Sequence, residues 1–190
     1  GSGAGISTVG LNLAAGSGGS VVRGLAIGRF YDGIHVQVGS DGNTLVGNRI
    51  GTDPTGTLDR GNTHIGVWVQ GNSTLVGGTT AADRNVISGN DGYGLYVDNG
   101  MGGGSLNVFI GNHIGVDATG EVALGNGFNG FYLGGDDNRV GGALPNEGNV
   151  ISGHGDSAVR LEGGSGHVIQ GNRIGTNAAG DKTLGNAGAV

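Results

Sequence analysis

A ten-residue phrase occurs three times in this chain, as GNRIGTDPTG from Gly47, as GNHIGVDATG from Gly111 and as GNRIGTNAAG from Gly171. The interval between the first and second copies is nearly the same as that between the second and third. Self-similarity at a nearly fixed period is typical of a solenoid, in which each repeat packs only against its neighbours. The repeat therefore restricts the chain to a stack of similar turns.

Each long repeat contains two turns of that stack. The motif Asn-x-Ile-(Gly/Ser) recurs, with Leu25 in place of the first Asn, and its isoleucines are Ile27, Ile50, Ile87, Ile114, Ile151 and Ile174. Their separations alternate between a shorter and a longer interval, because the turns differ in loop length. The long variable segments follow the motif in one turn and precede it in the next. We therefore expect these loops to project to opposite sides on successive turns.

Each turn contains three short apolar segments separated by glycine. The first has the form Gly-apolar-x-apolar, as in GVWV; the second is of the NTLVG type; and the third is Asn-x-Ile. Alternating apolar residues predict strands, and the abundant glycine disfavours helix by about 1 kcal/mol per position. The sequence thus predicts an all-β parallel solenoid of about six turns with three short strands per turn. The isoleucine column should fill the core, and the column of asparagines should hydrogen-bond along the stack.

The segments NVISGN, GNRIGTDPTG and GNHIGVDATGEVALGNG resemble the right-handed parallel β-helix repeats of large bacterial secreted and surface proteins, which belong to the pectate-lyase-like fold group. The resemblance implies that the predicted solenoid is a right-handed parallel β-helix. The resemblance covers the chain from about Gly10 to its end, and implies an extracellular or cell-surface location. We interpret residues 1–9 as a tag remnant or the start of a turn. Residues 10–190 are predicted to be a single domain, a slice of a longer helix, because no cap is recognisable at either end.

Composition excludes several function classes. The net charge is −6, and the 9 Lys and Arg residues form no basic run, which argues against nucleic acid as a partner. The chain has no cysteine, so it forms neither disulfides nor zinc–thiolate sites. It also lacks a run of about 20 apolar residues, so no membrane span is expected.

One position of the Gly-apolar-x-apolar strand differs from copy to copy, whereas its other positions keep the same residue type. The x residue of the Gly-apolar-x-apolar strand points outward. Stacking the copies predicts an outward column of His35, Trp68, Tyr96, Tyr132 and Arg160, with Gln37 and Gln70 two positions further along their strands. Aromatic rings beside amides predict a glycan-binding face, with these seven side chains as ligand contacts. The alternative is a purely structural ladder, in which each cross-strand pair contributes roughly 0.2–1 kcal/mol.

Candidates for catalysis and metal binding are sparse. Asp98, Arg160 and Glu162 form the best acidic and basic group for a polysaccharide-acting enzyme, although Arg160 and Glu162 also suit a surface ion pair. Asp53 and Asp117 are candidate calcium ligands in the repeated loops, but six to eight oxygens are needed, and the third loop has Asn177. An ordinary turn explains the loops equally, and no cofactor is predicted.

Three functions therefore stay open. The pattern favours a non-catalytic structural or adhesive segment of an extracellular bacterial protein, with a polysaccharide or cell-surface glycan on the aromatic column. The resemblance implies an alternative, a lyase, hydrolase or epimerase acting on polysaccharide. The third is an inert spacer, or a self-stacking repeat whose partners are neighbouring β-helix turns or copies placed end to end.

Overall fold

A computed structural model of the chain describes residues 8–98 and 103–188. These residues form eighteen short strands in three parallel sheets of six. Sheet 1 contains β1 (Val9–Leu13), β4 (Asp32–Val36), β7 (Val67–Val69), β10 (Leu95–Val97), β13 (Phe131–Leu133) and β16 (Val159–Leu161). Sheet 2 contains β2 (Val21–Arg23), β5 (Thr44–Val46), β8 (Leu75–Gly77), β11 (Val108–Ile110), β14 (Arg139–Gly141) and β17 (Val168–Gln170). Sheet 3 contains β3 (Ala26–Ile27), β6 (Arg49–Ile50), β9 (Val86–Ile87), β12 (His113–Ile114), β15 (Val150–Ile151) and β18 (Arg173–Ile174).

Each strand from β4 to β15 pairs with the strand three places earlier and the strand three places later in the chain, and the strands of the first and last turns have one such neighbour. The chain therefore visits sheets 1, 2 and 3 in order and rises by one strand per turn. This is a right-handed parallel β-helix of six turns, and it confirms the predicted fold class. Of the segment interpreted as a tag remnant or turn start, residues 1–7 lie outside the described residues, and β1 begins at Val9.

The core consists of columns of equivalent side chains that stack along the helix axis, and one of these columns is made of isoleucine. The predicted isoleucine column is confirmed, since β3, β6, β9, β12, β15 and β18 place their isoleucines in register. From Ile50 to Ile151 these side chains are fully buried. A parallel strand buries each such side chain against equivalents about 4.8 Å above and below, so no turn has a core of its own.

The predicted asparagine column lies at the corner between sheets 2 and 3. Asn48, Asn85, Asn112 and Asn149 are fully buried, and each donates its amide to the side-chain oxygen of the next turn's asparagine. The Nδ2···Oδ1 distances run from 2.8 to 3.1 Å. The same oxygens accept backbone amides, as Asn112 Oδ1 does from Asn85 N. The side-chain oxygens thus satisfy the buried backbone amides of this corner, whose carbonyls accept from the next turn.

A second column of buried polar residues lies at the corner that leads into sheet 1. Asn62 donates to Asn90 and Asn90 to Asn126, each at 2.8 Å. His154 takes the next position, where its Nδ1 accepts from the Asn126 backbone at 3.3 Å. Asn90 and His154 end the similar segments NVISGN and NVISGH, and the sequence pattern alone did not predict that these last residues align in one column.

The long loops alternate as expected. Loops 52–60, 116–124 and 176–184 follow sheet 3 in turns two, four and six, whereas loops 78–84 and 142–148 precede sheet 3 in turns three and five. The repeated-phrase loops contact one another across the intervening turn: Ala118 N donates to Gly56 O at 2.8 Å, and Ala178 N to Gly120 O at 2.9 Å. They form a continuous wall beside sheet 3. The described residues include no apolar helix of membrane-spanning length.

Candidate functional site

The outer surface of sheet 1 carries the predicted outward column. Asn12, His35, Trp68, Tyr96, Tyr132 and Arg160 are direct partners in consecutive strands, so the predicted alignment is confirmed. His35 stacks on Trp68 with ring centroids 4.3 Å apart, and Tyr96 stacks on Tyr132 at 4.6 Å. Trp68 meets Tyr96 edge to face at 6.1 Å. The rings thus form one half-buried row along the helix axis.

The adjacent polar row is hydrogen-bonded to the aromatic row. His35 Nε2 donates to Gln70 Oε1 at 2.8 Å, and Gln70 Nε2 donates to Asp98 Oδ2 at 3.2 Å. Gln37, the remaining predicted contact, is half-buried at the equivalent position beside His35. The chain of amide and carboxylate groups fixes the His35 ring and presents hydrogen-bonding atoms beside the aromatic surface. Such a combination suits a ligand with both C–H faces and hydroxyls.

Sequence reasoning missed a second group of rings, where the chain enters sheet 1. Tyr93 contacts Tyr96 at 5.1 Å, Tyr132 at 5.4 Å and Phe128 at 5.4 Å, in each case edge to face. Phe128 is 51% exposed. A signal was present, because Tyr93 and Phe128 occur one and two positions before the glycine that opens a sheet 1 strand. We call His35, Trp68, Tyr93, Tyr96, Phe128 and Tyr132 the aromatic face.

Tyr96 lies at the centre of the tyrosines of this face. Burial, followed by the nearby Tyr132 and Asp98, raises the pKa of Tyr96 to about 12. A hydrogen bond between the Tyr96 and Tyr132 side chains also contributes to this shift, so the two hydroxyls lie close together. Arg160 closes the row, with its guanidinium carbon 5.8 Å from the centre of the Tyr132 ring.

Comparison with known proteins identifies no relative. No family model, curated protein or solved structure matches the chain significantly. The aromatic face must therefore be interpreted from its own geometry.

The candidate catalytic residues lie at one end of this face. Arg160 Nε donates to Glu162 Oε2 at 2.6 Å in an exposed ion pair, which raises the pKa of Arg160. Asp98 and Glu162 follow β10 and β16 at equivalent positions, two strands apart, with Gly134 between them. Two strand spacings place their backbones about 9.6 Å apart, just beyond the roughly 6.5–9.5 Å that separates the two carboxyl groups of inverting glycosidases. Catalysis by these residues stays a prediction.

The candidate calcium ligands hold their own loops together. Asp53 Oδ1 accepts the backbone amides of Thr57 and Leu58, both at 3.0 Å. The Leu58 amide and then the Thr55 hydroxyl lower the pKa of Asp53 to about 2. Asp117 makes the same contacts in the second loop. Among residues 8–98 and 103–188, no three His, Cys, Asp or Glu side chains cluster as metal ligands would.

Proposed function

We propose that the chain is a structural and adhesive segment of an extracellular bacterial protein and that its aromatic face contacts a glycan. The observation that carries the proposal is the unbroken row of rings over four turns, lined by the Gln70 and Asp98 groups. Sugar rings stack their C–H faces on aromatic surfaces, while their hydroxyls bond to amides and carboxylates. The resemblance to pectate-lyase-like repeats supports both the fold-group assignment and the bacterial, extracellular setting as parts of this proposal.

The competing interpretation is a ladder that only stabilises sheet 1. Several ring faces pack on neighbouring rings, as in the His35–Trp68 stack, so those faces are occupied. Phe128 differs, because half of its surface is exposed beside Tyr93. A glycan would therefore use Phe128 together with the outward edges of the tyrosines and the polar row.

A glycan array, followed by calorimetric titration of the best ligand, tests the proposal. We expect the wild-type chain to bind and Phe128→Ala to weaken the affinity at least tenfold. Leu58→Ala is the matched control, because Leu58 is 54% exposed but lies in a loop beyond sheet 3. If the wild-type chain binds no glycan, or if both variants bind equally well, the face is a structural ladder and the chain a spacer.

The enzyme alternative is tested with the same material. The Asp98–Glu162 spacing is the one observation that favours it. Uronate polymers incubated with the chain, with and without calcium, would yield unsaturated or shortened products that Asp98→Asn abolishes. If the chain binds these polymers without cleaving them, the adhesive proposal stands and the enzymatic alternative is rejected.

A further inference from the structure

A cleft of about 570 Å³ lies on a different face of the molecule, over the outer surface of sheet 3. His113, Val150 and Arg173 form its floor, and the register places them in three consecutive strands. Residues 142–146 border one side, and Ala178 of the last repeated-phrase loop lies on the other. The alternation of the long loops thus creates the cleft, because loops before and after sheet 3 stand on either side of it.

Arginine side chains line the cleft, and within the described part of the chain no carboxylate forms an ion pair with them. These arginines are Arg84 and Arg173. Arg84 Nε donates to the Gly111 carbonyl at 3.2 Å, which is a neutral partner. Arg49 lies next to Arg84 and donates to its backbone carbonyl at 3.3 Å. Burial, followed by the charge of Arg49, lowers the pKa of Arg84, as expected where cations are crowded.

Two carboxylates of the loops around sheet 3 are already engaged. Glu147 in the bordering loop pairs with Arg139 at 3.3 Å. Asp117 accepts the amides of its own loop and the Thr119 hydroxyl at 2.7 Å. The arginines of the cleft are therefore left for an external anion, in a chain whose net charge is −6.

We propose that this cleft binds a small organic anion through its carboxylate or sulfate group. A planar guanidinium recognises such oxyanions through paired N–H groups, and the half-buried Arg84 is partly ordered by its bond to Gly111. The volume falls within the range of small-molecule sites. No Trp, Tyr or Phe of the described residues lines the cleft, so nucleic acid bases would find no stacking partner.

The site is independent of the aromatic face. The two lie on different sheets and share no residue, so either proposal can fail alone. Together they would let one segment contact a neutral or mixed glycan on sheet 1 and an acidic group on sheet 3.

Titration of the labelled chain by two-dimensional NMR tests the proposal with three probes: digalacturonate, sodium sulfate and the neutral disaccharide lactose. Digalacturonate should shift the amides of Gly111, Gly142 and Gly171, which line the cleft. Sulfate should shift the same amides if the oxyanion group suffices, whereas a response to digalacturonate alone would assign the site to carboxylates. Lactose should shift none of them. A response to lactose equal to that of digalacturonate would overturn the proposal.

Variants then assign the contacts. Arg84→Gln and Arg173→Gln should each weaken digalacturonate binding at least tenfold, and Arg84→Lys should recover only part of the affinity. Arg29→Gln, which removes an exposed cation just after β3 in the first turn and outside the cleft, is the matched control and should bind within twofold of wild type. Equal binding by wild type, Arg84→Gln and Arg173→Gln would contradict the proposal, as would loss of binding only in Arg29→Gln. If a Gln variant fails to fold, the wild-type shift map and Arg84→Lys decide the outcome.

Discussion

At the scale of single residues, a glycine opens five of the six sheet 1 strands, where the next turn leaves no room for a side chain, and Ala158 takes this position in the last strand. A Cβ at Gly94 would lie 2.7 Å from Asn126 Nδ2 and 2.8 Å from Gly130 O. We expect Gly94→Ala to lower the free energy of unfolding by about 1–3 kcal/mol, because a backbone carbonyl and a buried amide have to move. Urea denaturation followed by circular dichroism measures this. Gly185→Ala is the control, since no atom lies within 4 Å of its Cβ position, and equal losses in both variants would contradict the argument.

The Trp68 ring contains a polar atom without a partner. Its Nε1 is buried and has no hydrogen-bond acceptor in the described structure, although the ring stacks on His35. A buried donor left unsatisfied costs about 1–3 kcal/mol, so Trp68→Phe should retain most of the stacking and remove this penalty. We expect the free energy of unfolding to stay level or rise in Trp68→Phe and to fall in Trp68→Ala. Equal destabilisation of both variants in thermal unfolding would show that the indole N–H is needed.

At the scale of elements, the repeated-phrase loop is held by the side chain at its second position, which is Asp53, Asp117 or Asn177. Asp117 accepts two backbone amides, and Asn177 accepts those of Gly180, Asp181 and Lys182 at 2.9 to 3.1 Å. Because an amide oxygen serves as well as a carboxylate, Asp117→Asn should change stability by less than about 1 kcal/mol, and Asp117→Ala should destabilise by about 1–3 kcal/mol. Melting temperatures with added calcium and with EDTA should agree for all three proteins. A calcium-dependent rise lost in Asp117→Asn would instead assign calcium to the loop.

Elements that repeat were predictable from the sequence, and contacts between elements were not. The isoleucine and asparagine columns follow from spacing, because parallel stacking places equal positions one above another. The outward row from His35 to Arg160 follows from strand alternation in the same way. The cleft could not be predicted in this way, because it depends on how loops from different turns are placed around sheet 3. No local sequence pattern encodes the distance between those loops. Tyr93 and Phe128 were missed for a related reason, since they lie outside the alternating strands.

At the scale of the whole molecule, two buried histidines make stability depend on pH. Burial lowers the pKa of His154 to about 4, and burial together with the charge of Arg84 lowers the pKa of His113 to about 4. The ordinary value for histidine is 6.5, so between pH 6.5 and 4 the unfolded chain binds more protons than the folded chain. Stability is therefore complete above pH 6.5 and falls as the pH is lowered toward 4. Each histidine accounts for a loss on the order of 3 kcal/mol.

Replacing His154 by the residue that its column otherwise uses separates the two contributions. In His154→Asn the new side chain can accept from Asn126 as Asn126 does from Asn90, and it removes the buried Nε2 that has no partner in the described structure. We expect the loss of unfolding free energy between pH 7 and pH 4.5 to fall by about half, with stability at pH 7 unchanged or higher. His113→Gln should remove the other half, and the double variant should show almost no dependence in this range. Urea denaturation at pH 7, 5.5 and 4.5 measures all four proteins. If a single variant retains the full pH dependence of the wild-type unfolding free energy, the histidine that it lacks is already protonated in the folded wild-type chain. The acid sensitivity of the stack then has another origin.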